Sequence, residues 1–432
     1  MTREERLQRL SEIDSVVCKG KVTNIVGSMI EASGISANVG DICTIDGLQG
    51  SPPVLSEAVG FKNGNVLLVA YGDVKGVGLG SLVRSTGHKL QIPVGDFLIG
   101  RIIDATGCPI DGKGEFPEGQ QYGVDSSYIN PLERPRISER LNFGIKTIDG
   151  MLTIGKGQRM GIFAGSGVGK STLMGMIARN VTADVNVIAL VGERGREVAE
   201  FMEKDLGPEG LARSVLVVAT SDQPAMYRLK CAMVATAVAE YFKDQGKDVL
   251  LMMDSLTRFA MAHREIGLAA GEPPIARGYT PGIYAELPKL LERSGNFKQG
   301  SITGIYTVLV EGDDTNEPIS DTVRGIIDGH IVLSRAMAHK NHYPAIDVNG
   351  SVSRLMNDIA SEEHKQAAAK IRNWLSVYRQ NEDLISIGAY KPGLNFRLDE
   401  SVKKMEDINQ FLCQQVNESY LFEDTLQIMK EM

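Results

Sequence analysis

The stretch Ala164-Gly165-Ser166-Gly167-Val168-Gly169-Lys170-Ser171 carries residue types and spacing suited to holding phosphate. An apolar run, Met160 to Phe163, precedes it; after it, Leu173, Ile177 and Ala178 recur at helical spacing. Strand, glycine-rich loop and helix form the context of a phosphate-binding loop. Glycines let backbone N–H groups converge on an anion without Cβ clashes. The helix start adds unpaired donors and the positive end of its dipole. The backbone from Gly165 through Ser166, Gly167, Val168 and Gly169 to Lys170, Ser171 and Thr172 is therefore expected to wrap the phosphates of ATP. Lys170 is placed to reach the outer phosphates, and the Ser171 hydroxyl to ligate Mg²⁺. One position departs from G-x-x-x-x-G-K-[ST]: the first is Ala164, not glycine.

Two further segments end apolar runs with polar groups. Val249-Leu250-Leu251-Met252-Met253-Asp254 reads as a buried strand closed by an acid. Beside a phosphate loop, such an aspartate holds Mg²⁺ directly or through water. Gly192-Glu193-Arg194-Gly195-Arg196-Glu197 follows a strand ending at Val191. Ligands of open α/β sheets bind outside the carboxyl ends of strands. Glu193 is placed to polarise an attacking water and Arg194 to meet phosphate charge. From position alone, a solvated charged loop is an equal reading.

The elements that must position these groups are legible as a pattern. From about Gly144, apolar runs alternate with helical segments: Gln158–Ala164, Val185–Val191, Val215–Ala219, Val249–Met253, Ile302–Val310 and His330–Leu333. That alternation predicts a parallel sheet covered on both faces. Between Lys19 and Pro93, short β-rich runs (Val22–Val26, Ile42–Ile45, Val54–Val59, Val66–Tyr71) are separated by turn signals such as Lys62-Asn63-Gly64-Asn65. They predict a small barrel or sandwich. Residues 94–143 are turn-rich and read as a linker wrapping onto the core. After Leu355 the chain turns helical, over Glu362–Arg379 and Asp399–Gln415 with a tail from Tyr420. The expected fold is an α/β P-loop core (94–355) between an N-terminal β-barrel (19–93) and a C-terminal α-helical domain (356–432). Leu7, Leu10 and Ile13 suggest an amphipathic helix over residues 1–18, either a cap on the barrel or a docking or membrane-surface element.

Composition narrows the class. The 432 residues allow two or three domains, and 43% apolar content allows large cores. The net charge of −8 argues against a dominant nucleic-acid footprint. Cys18, Cys43, Cys108, Cys231 and Cys413 form no C-x-x-C pair and read as reduced thiols of a cytosolic protein. No run of about eighteen apolar residues suggests a membrane span.

Taken in order, the phosphate loop, G-E-R-G-R-E, V-L-L-M-M-D-S-L-T-R-F-A, A-R-G-Y-T-P and Y-P-A-I-D-V-N-G-S-V-S-R resemble the rotary-type hexameric ATPases related to the catalytic subunit of F-type ATP synthase. Within that group the chain is most similar to the ATPases of type III protein export, in particular the flagellar ones. The resemblance implies a RecA-like core and ATP hydrolysis with Mg²⁺ by a homohexamer that energises protein export. By that resemblance Glu193 is the catalytic glutamate, and Arg258 lies near the nucleotide and Mg²⁺. Tyr343 stacks on adenine, and Arg277-Gly278-Tyr279-Thr280-Pro281 faces a central pore. Arg354 is an arginine finger given to a neighbour's site. Asn349-Gly350, ahead of Ser351-Val352-Ser353-Arg354, departs from the more apolar pair the family leads one to expect. Implied partners are a central stalk protein, a stator or regulator, membrane export-gate proteins and chaperone–substrate complexes, with no nucleic acid. Implied location is the cytoplasm, peripheral to the inner face of the cytoplasmic membrane. Three alternatives share parts of this logic: a rotary ATP synthase or ion-pump subunit, a hexameric nucleic-acid translocase, and a nucleotide-binding assembly protein without turnover. Retention of Lys170 and Glu193 speaks against the last.

Overall fold

The computed structural model describes residues 18–125, 130–310 and 317–432; the helix expected over residues 1–18 lies almost wholly outside them. Six strands, β1 (Lys19–Val26), β2 (Met29–Ser33), β3 (Asp41–Ile45), β4 (Val54–Lys62), β5 (Asn65–Ala70) and β6 (Leu82–Lys89), close into a barrel in the order β1-β2-β5-β4-β3-β6. Two of them, β2 and β6, escaped the sequence reading. Asn63 (φ 50°) and Gly64 (φ 81°) connect β4 to β5 as a two-residue turn whose positive φ values match the strand twist. Val22, Ile30, Cys43, Ile45, Leu68 and Val83 fill the interior.

The core sheet uses β7 (Ile102–Ile103), β8 (Arg159–Ala164), β9 (Val185–Glu193), β10 (Ser214–Thr220), β11 (Asp248–Asp254), β12 (Ser301–Leu309), β13 (Gly329–Leu333) and β14 (Val352–Ser353). Their spatial order is β14-β13-β8-β12-β11-β9-β10-β7. Every neighbouring pair is parallel except β13 with β14. The centre strands are buried along their length and apolar on both faces, as a doubly covered sheet requires. One difference from the expectation lies in residues 94–143. That segment is more than a linker, because β7 adds an edge strand beside β10.

Helices cover the sheet: α1 (Lys146–Met151), α2 (Lys170–Asn180), α3 (Gly195–Glu200), α4 (Ala225–Asp244), α5 (Leu256–Ala270), α6 (Pro281–Leu291) and α7 (Pro318–Ile326). Met226, Leu229 and Ala237 of α4 are core residues, with Met233 packed against them. The barrel is tied to α4 through Glu57, which takes a hydrogen bond from Tyr71 Oη (2.6 Å) and an ion pair from buried Lys230 (2.8 Å). The C-terminal part holds α8 (Glu362–Gln380), α9 (Glu382–Ser386), α10 (Phe396–Leu412) and α11 (Phe422–Glu431). It packs on α1: the His364 ring meets Gly150 O at 2.7 Å, and Thr147 Oγ1 donates to Leu412 O at 3.0 Å. Among the described residues no helix is long and apolar enough to cross a membrane.

Candidate active site

The head of the sheet, where β8, β9 and β11 end, is a cleft of about 980 Å³ lined by the phosphate loop, Glu193, Asp254, Arg258 and Arg277 among others. Ala164 sits at the end of β8, paired with Leu333 and Leu309. It belongs to the strand and not to the positive-φ part of the loop, so a Cβ is tolerated at this first motif position. Gly167 (φ 77°) and Gly169 (φ 87°) make the left-handed turns that aim the loop into α2. Ser166 and Ser171 are exposed in the cleft, whereas the Val168 side chain packs into the core and contributes only backbone. Thr172 has its hydroxyl against the Asp205 carboxyl.

Three charged side chains converge. Lys170 Nζ lies 2.5 Å from Asp254 Oδ1 and 3.8 Å from Glu193 Oε1, with little exposure of any of the three. Asp254 is buried and its Oδ1 also accepts from Thr307 Oγ1 at 2.7 Å. Glu193 Oε1 is buried and has no hydrogen-bond partner among the described residues. Burial and the neighbouring Asp254 carboxylate push the Glu193 carboxyl up to about 7, against the pull of Lys170. Sequence reasoning missed Thr307; its signal was a hydroxyl inside the apolar run Ile305-Tyr306-Thr307-Val308.

The remaining candidates are placed differently. Arg258 lines the cleft with its Nε buried and unpartnered. Arg194 also reaches the rim, but its largely exposed guanidinium pairs with Glu197 at 2.7 Å. Arg277, expected to face a pore, lines the same cleft and holds φ 49°. Tyr343, 40% exposed, is not part of that lining but stands beside the loop: a Cβ added at Gly169 would lie 3.3 Å from Tyr343 Cε1. Tyr343 O takes a hydrogen bond from Gln414 N at 3.0 Å, so the segment just after α10 ties down the backbone that carries this ring.

Arg354 does not join the cleft lining. It follows β14 and is exposed; its main-chain N donates to Asp328 O at 3.0 Å, and among the described residues its side chain donates from Nη2 to Arg324 O at 3.2 Å, with no ion pair. The Asn349-Gly350 pair falls in a turn organised by Asp347. Asp347 Oδ1 accepts from Asn349 N (3.1 Å) and Gly350 N (3.0 Å), forming an Asx turn. A Cβ at Gly350 would stand 3.0 Å from Asp347 Oδ2, so a larger residue crowds that carboxylate.

The donor set suits a hard cation. A serine hydroxyl and one or two carboxylates, completed by phosphate oxygens and waters, are what Mg²⁺ prefers over an all-protein cage. Ser171 and Asp254 carry oxygens of the kind such a cation would take.

Sequence models of known domains match in register with this architecture. The β-barrel domain of the ATP synthase alpha/beta family matches residues 22–87, and its nucleotide-binding domain matches 144–353. The T3SS EscN ATPase C-terminal domain matches 360–431. A flagellum-specific ATP synthase of Bacillus subtilis is 54% identical over 99% of this chain and 98% of its own length. The chain belongs to the flagellum-specific and type III secretion ATPase family. A type 3 secretion system ATPase of Xanthomonas euvesicatoria, from the same family, is 48% identical over 95% of this chain and 93% of its own. Among solved structures, the assembled ATPase EscN of the enteropathogenic E. coli type III secretion system superposes with a TM-score of 0.89 at 43% identity, covering 95% of this chain and 99% of that one. EscN in complex with its central stalk EscO gives 0.88 at the same identity and coverage.

Proposed function

We propose that this chain hydrolyses ATP with Mg²⁺ in a homohexameric ring and that the ring energises type III export of flagellar components. The observation that carries the reading is the cluster of Lys170, Glu193 and Asp254 at the strand ends, with an exposed Arg354 that lies outside the cleft lining. A single copy thus holds a phosphate site that its own Arg354 does not line, and a closed ring is what would bring that arginine to the next copy's site. The match of residues 360–431 to the export-type C-terminal domain favours export over ion pumping. Relatives at 54% and 52% identity are named flagellum-specific, against 48% for a secretion ATPase, which favours the flagellar system. By analogy with EscN and its stalk EscO, a central stalk protein is the nearest partner. A stator or regulator, the export gate and chaperone–substrate complexes complete the set, at the inner face of the cytoplasmic membrane.

The chemistry follows from the residues. The loop amides and the N-terminus of α2 receive the phosphate chain. Lys170, lying between two carboxylates, turns its ammonium to the outer phosphates. Ser171 and Asp254 would hold Mg²⁺, which when bound would neutralise charge on the phosphate oxygens. Thr307 fixes the Asp254 oxygen in place. Glu193, with an unpartnered buried oxygen, aligns the attacking water and draws its proton. Arg258 meets the phosphate charge from the cleft wall. Arg354 of the adjoining copy stabilises the charge of the transition state, a contribution on the order of 10³–10⁵ in rate for such fingers. Tyr343 stacks on the base.

Mixing two inactive variants tests the shared site. Glu193→Gln is expected to bind ATP and lose most turnover; Arg354→Ala is expected to be nearly inactive. Reassembled together they should regain activity, where an intact Glu193 on one copy meets an intact Arg354 on its neighbour. Mixed rings without recovered activity would sink the trans-acting role, and near-normal turnover in Glu193→Gln would remove Glu193 from catalysis.

A further inference from the structure

Arg354 is delivered by an arm. From Ala345 the chain runs back beside the end of β13, turns at Asp347–Gly350 and pairs antiparallel with β13 as β14, with His330 opposite Val352. Two sets of bonds hold this arm. One comes from the core: Val332 N donates to Ser351 Oγ (2.9 Å), Ser351 Oγ to Asp347 O (2.6 Å), and Gln158 Nε2 to Ser353 Oγ (3.1 Å). The other comes from α8 of the C-terminal helical part. Arg372 Nη1 donates to Val348 O at 2.7 Å and reaches Ser351 O at 3.5 Å, while its Nη2 donates to Met151 O at 2.6 Å. Seven residues on, two turns along the same helix face, Arg379 Nη1 meets Asp347 Oδ2 at 3.0 Å.

The chemistry of this clamp is specific. Among the described residues Arg372 has no carboxylate partner; all its bonds go to main-chain carbonyls. A planar fork spans two backbone sites at fixed geometry, which a lysine or a neutral amide does not reproduce. One prong holds the turn of the arm, the other the end of α1. The second arginine holds the carboxylate that organises the Asx turn. The arm's last residue before the helical part is reached is Arg354.

We propose that Arg372, assisted by Arg379, is a positioning residue for Arg354: the C-terminal helical part fixes the arm that presents the finger to the next copy's nucleotide. The inference rests on the reading of Arg354 as a finger acting in trans. It couples movement of α8 to hydrolysis in the neighbouring site and not in the copy's own site.

The test uses full-length rings. Arg372→Gln is expected to lower kcat by roughly 10²-fold, the scale of a 1 Å misplacement of a reacting group. KM for ATP should stay near that of the parent, and Arg372→Lys should recover part of kcat. Arg379→Ala, an exposed change that spares the half-buried fork of Arg372, should show a smaller loss of the same kind and covers the case in which Arg372→Gln does not fold. Complementation then assigns the defect. Mixed with Glu193→Gln, which has a normal arm, the Arg372 variant should regain activity; mixed with Arg354→Ala it should not. Recovery with Arg354→Ala but not with Glu193→Gln would place the effect in the copy's own site and overturn the proposal. Failure in both mixtures, while Glu193→Gln and Arg354→Ala complement each other, would overturn it as a general structural defect. Failure of that control pair itself would instead refute the trans finger.

Discussion

Replacing Lys170 by methionine keeps the stem and removes the ammonium, and the structure says what that should do. The ammonium sits 2.5 Å from Asp254 and 3.8 Å from Glu193. At an effective dielectric of about 20, the longer of these attractions alone is worth about 4 kcal/mol before desolvation is counted. The variant protein will not bear that whole cost. Glu193, already pushed up to about 7 by burial and Asp254, loses the cation that pulls it down and takes up a proton instead. The fold should therefore melt close to the parent, well short of the roughly 3–5 kcal/mol lost when a buried charge is left uncompensated. Nucleotide binding should suffer more. A hydrogen bond from a charged donor contributes about 1.5–3 kcal/mol, which corresponds to roughly 10–150-fold in affinity. The lower end is expected, because in the parent the ammonium exchanges one anion for another. Calorimetric titration with ATP and Mg²⁺, beside thermal melting of the same sample, reads both quantities. An affinity within twofold of the parent would refute the role of Lys170 as the phosphate cation. A large melting shift would refute the protonation argument.

Two other outcomes are open to measurement. Tyr343→Ala should weaken ATP binding by about 1 kcal/mol, the scale of an aromatic stacking contact, while leaving inorganic triphosphate unaffected; equal loss for both ligands would make the ring structural only. Asp111 is held well below its ordinary 3.8, chiefly by the paired hydrogen bonds from Arg101 (2.6 and 2.9 Å). A carboxyl depressed in the fold contributes stability above its unfolded value and loses it as pH falls through that region. Arg101→Met should thus melt earlier than the parent at pH 7, with the gap closing below about pH 4 as the carboxyl protonates; a gap independent of pH would remove the pair from acid stability.

Local chemistry was legible in the sequence. A glycine-rich turn after an apolar strand has few other uses, and its backbone geometry follows from the glycines themselves. Apolar runs ending in Glu193 and Asp254 point to strand ends because a parallel sheet buries everything but its ends. The Asn63-Gly64 turn likewise announced its hairpin, since those residue types accept positive φ. Strands β2 and β6 were harder. β2 is only Met29-Ile30-Glu31-Ala32-Ser33, and several residues of β6 face solvent, so it reads Leu82-Val83-Arg84-Ser85-Thr86-Gly87-His88-Lys89 with little apolar alternation. Ring closure, not local propensity, makes them strands. Ile102–Ile103 became a sheet edge because β10 offered unpaired backbone groups, a demand no local pattern expresses. The convergence of Lys170, Glu193 and Asp254, 23 and 61 residues apart in successive steps along the chain, was decided by the order β8-β12-β11-β9. Thr307 joined them only because β12 lies between β8 and β11. The turn that Asp347 makes with the main chain of Asn349 and Gly350 is visible only in the fold, and the hold of Arg372 on that turn spans two parts of the molecule. Residue type sets what each group is able to do; which groups meet is set by packing between segments far apart in the chain.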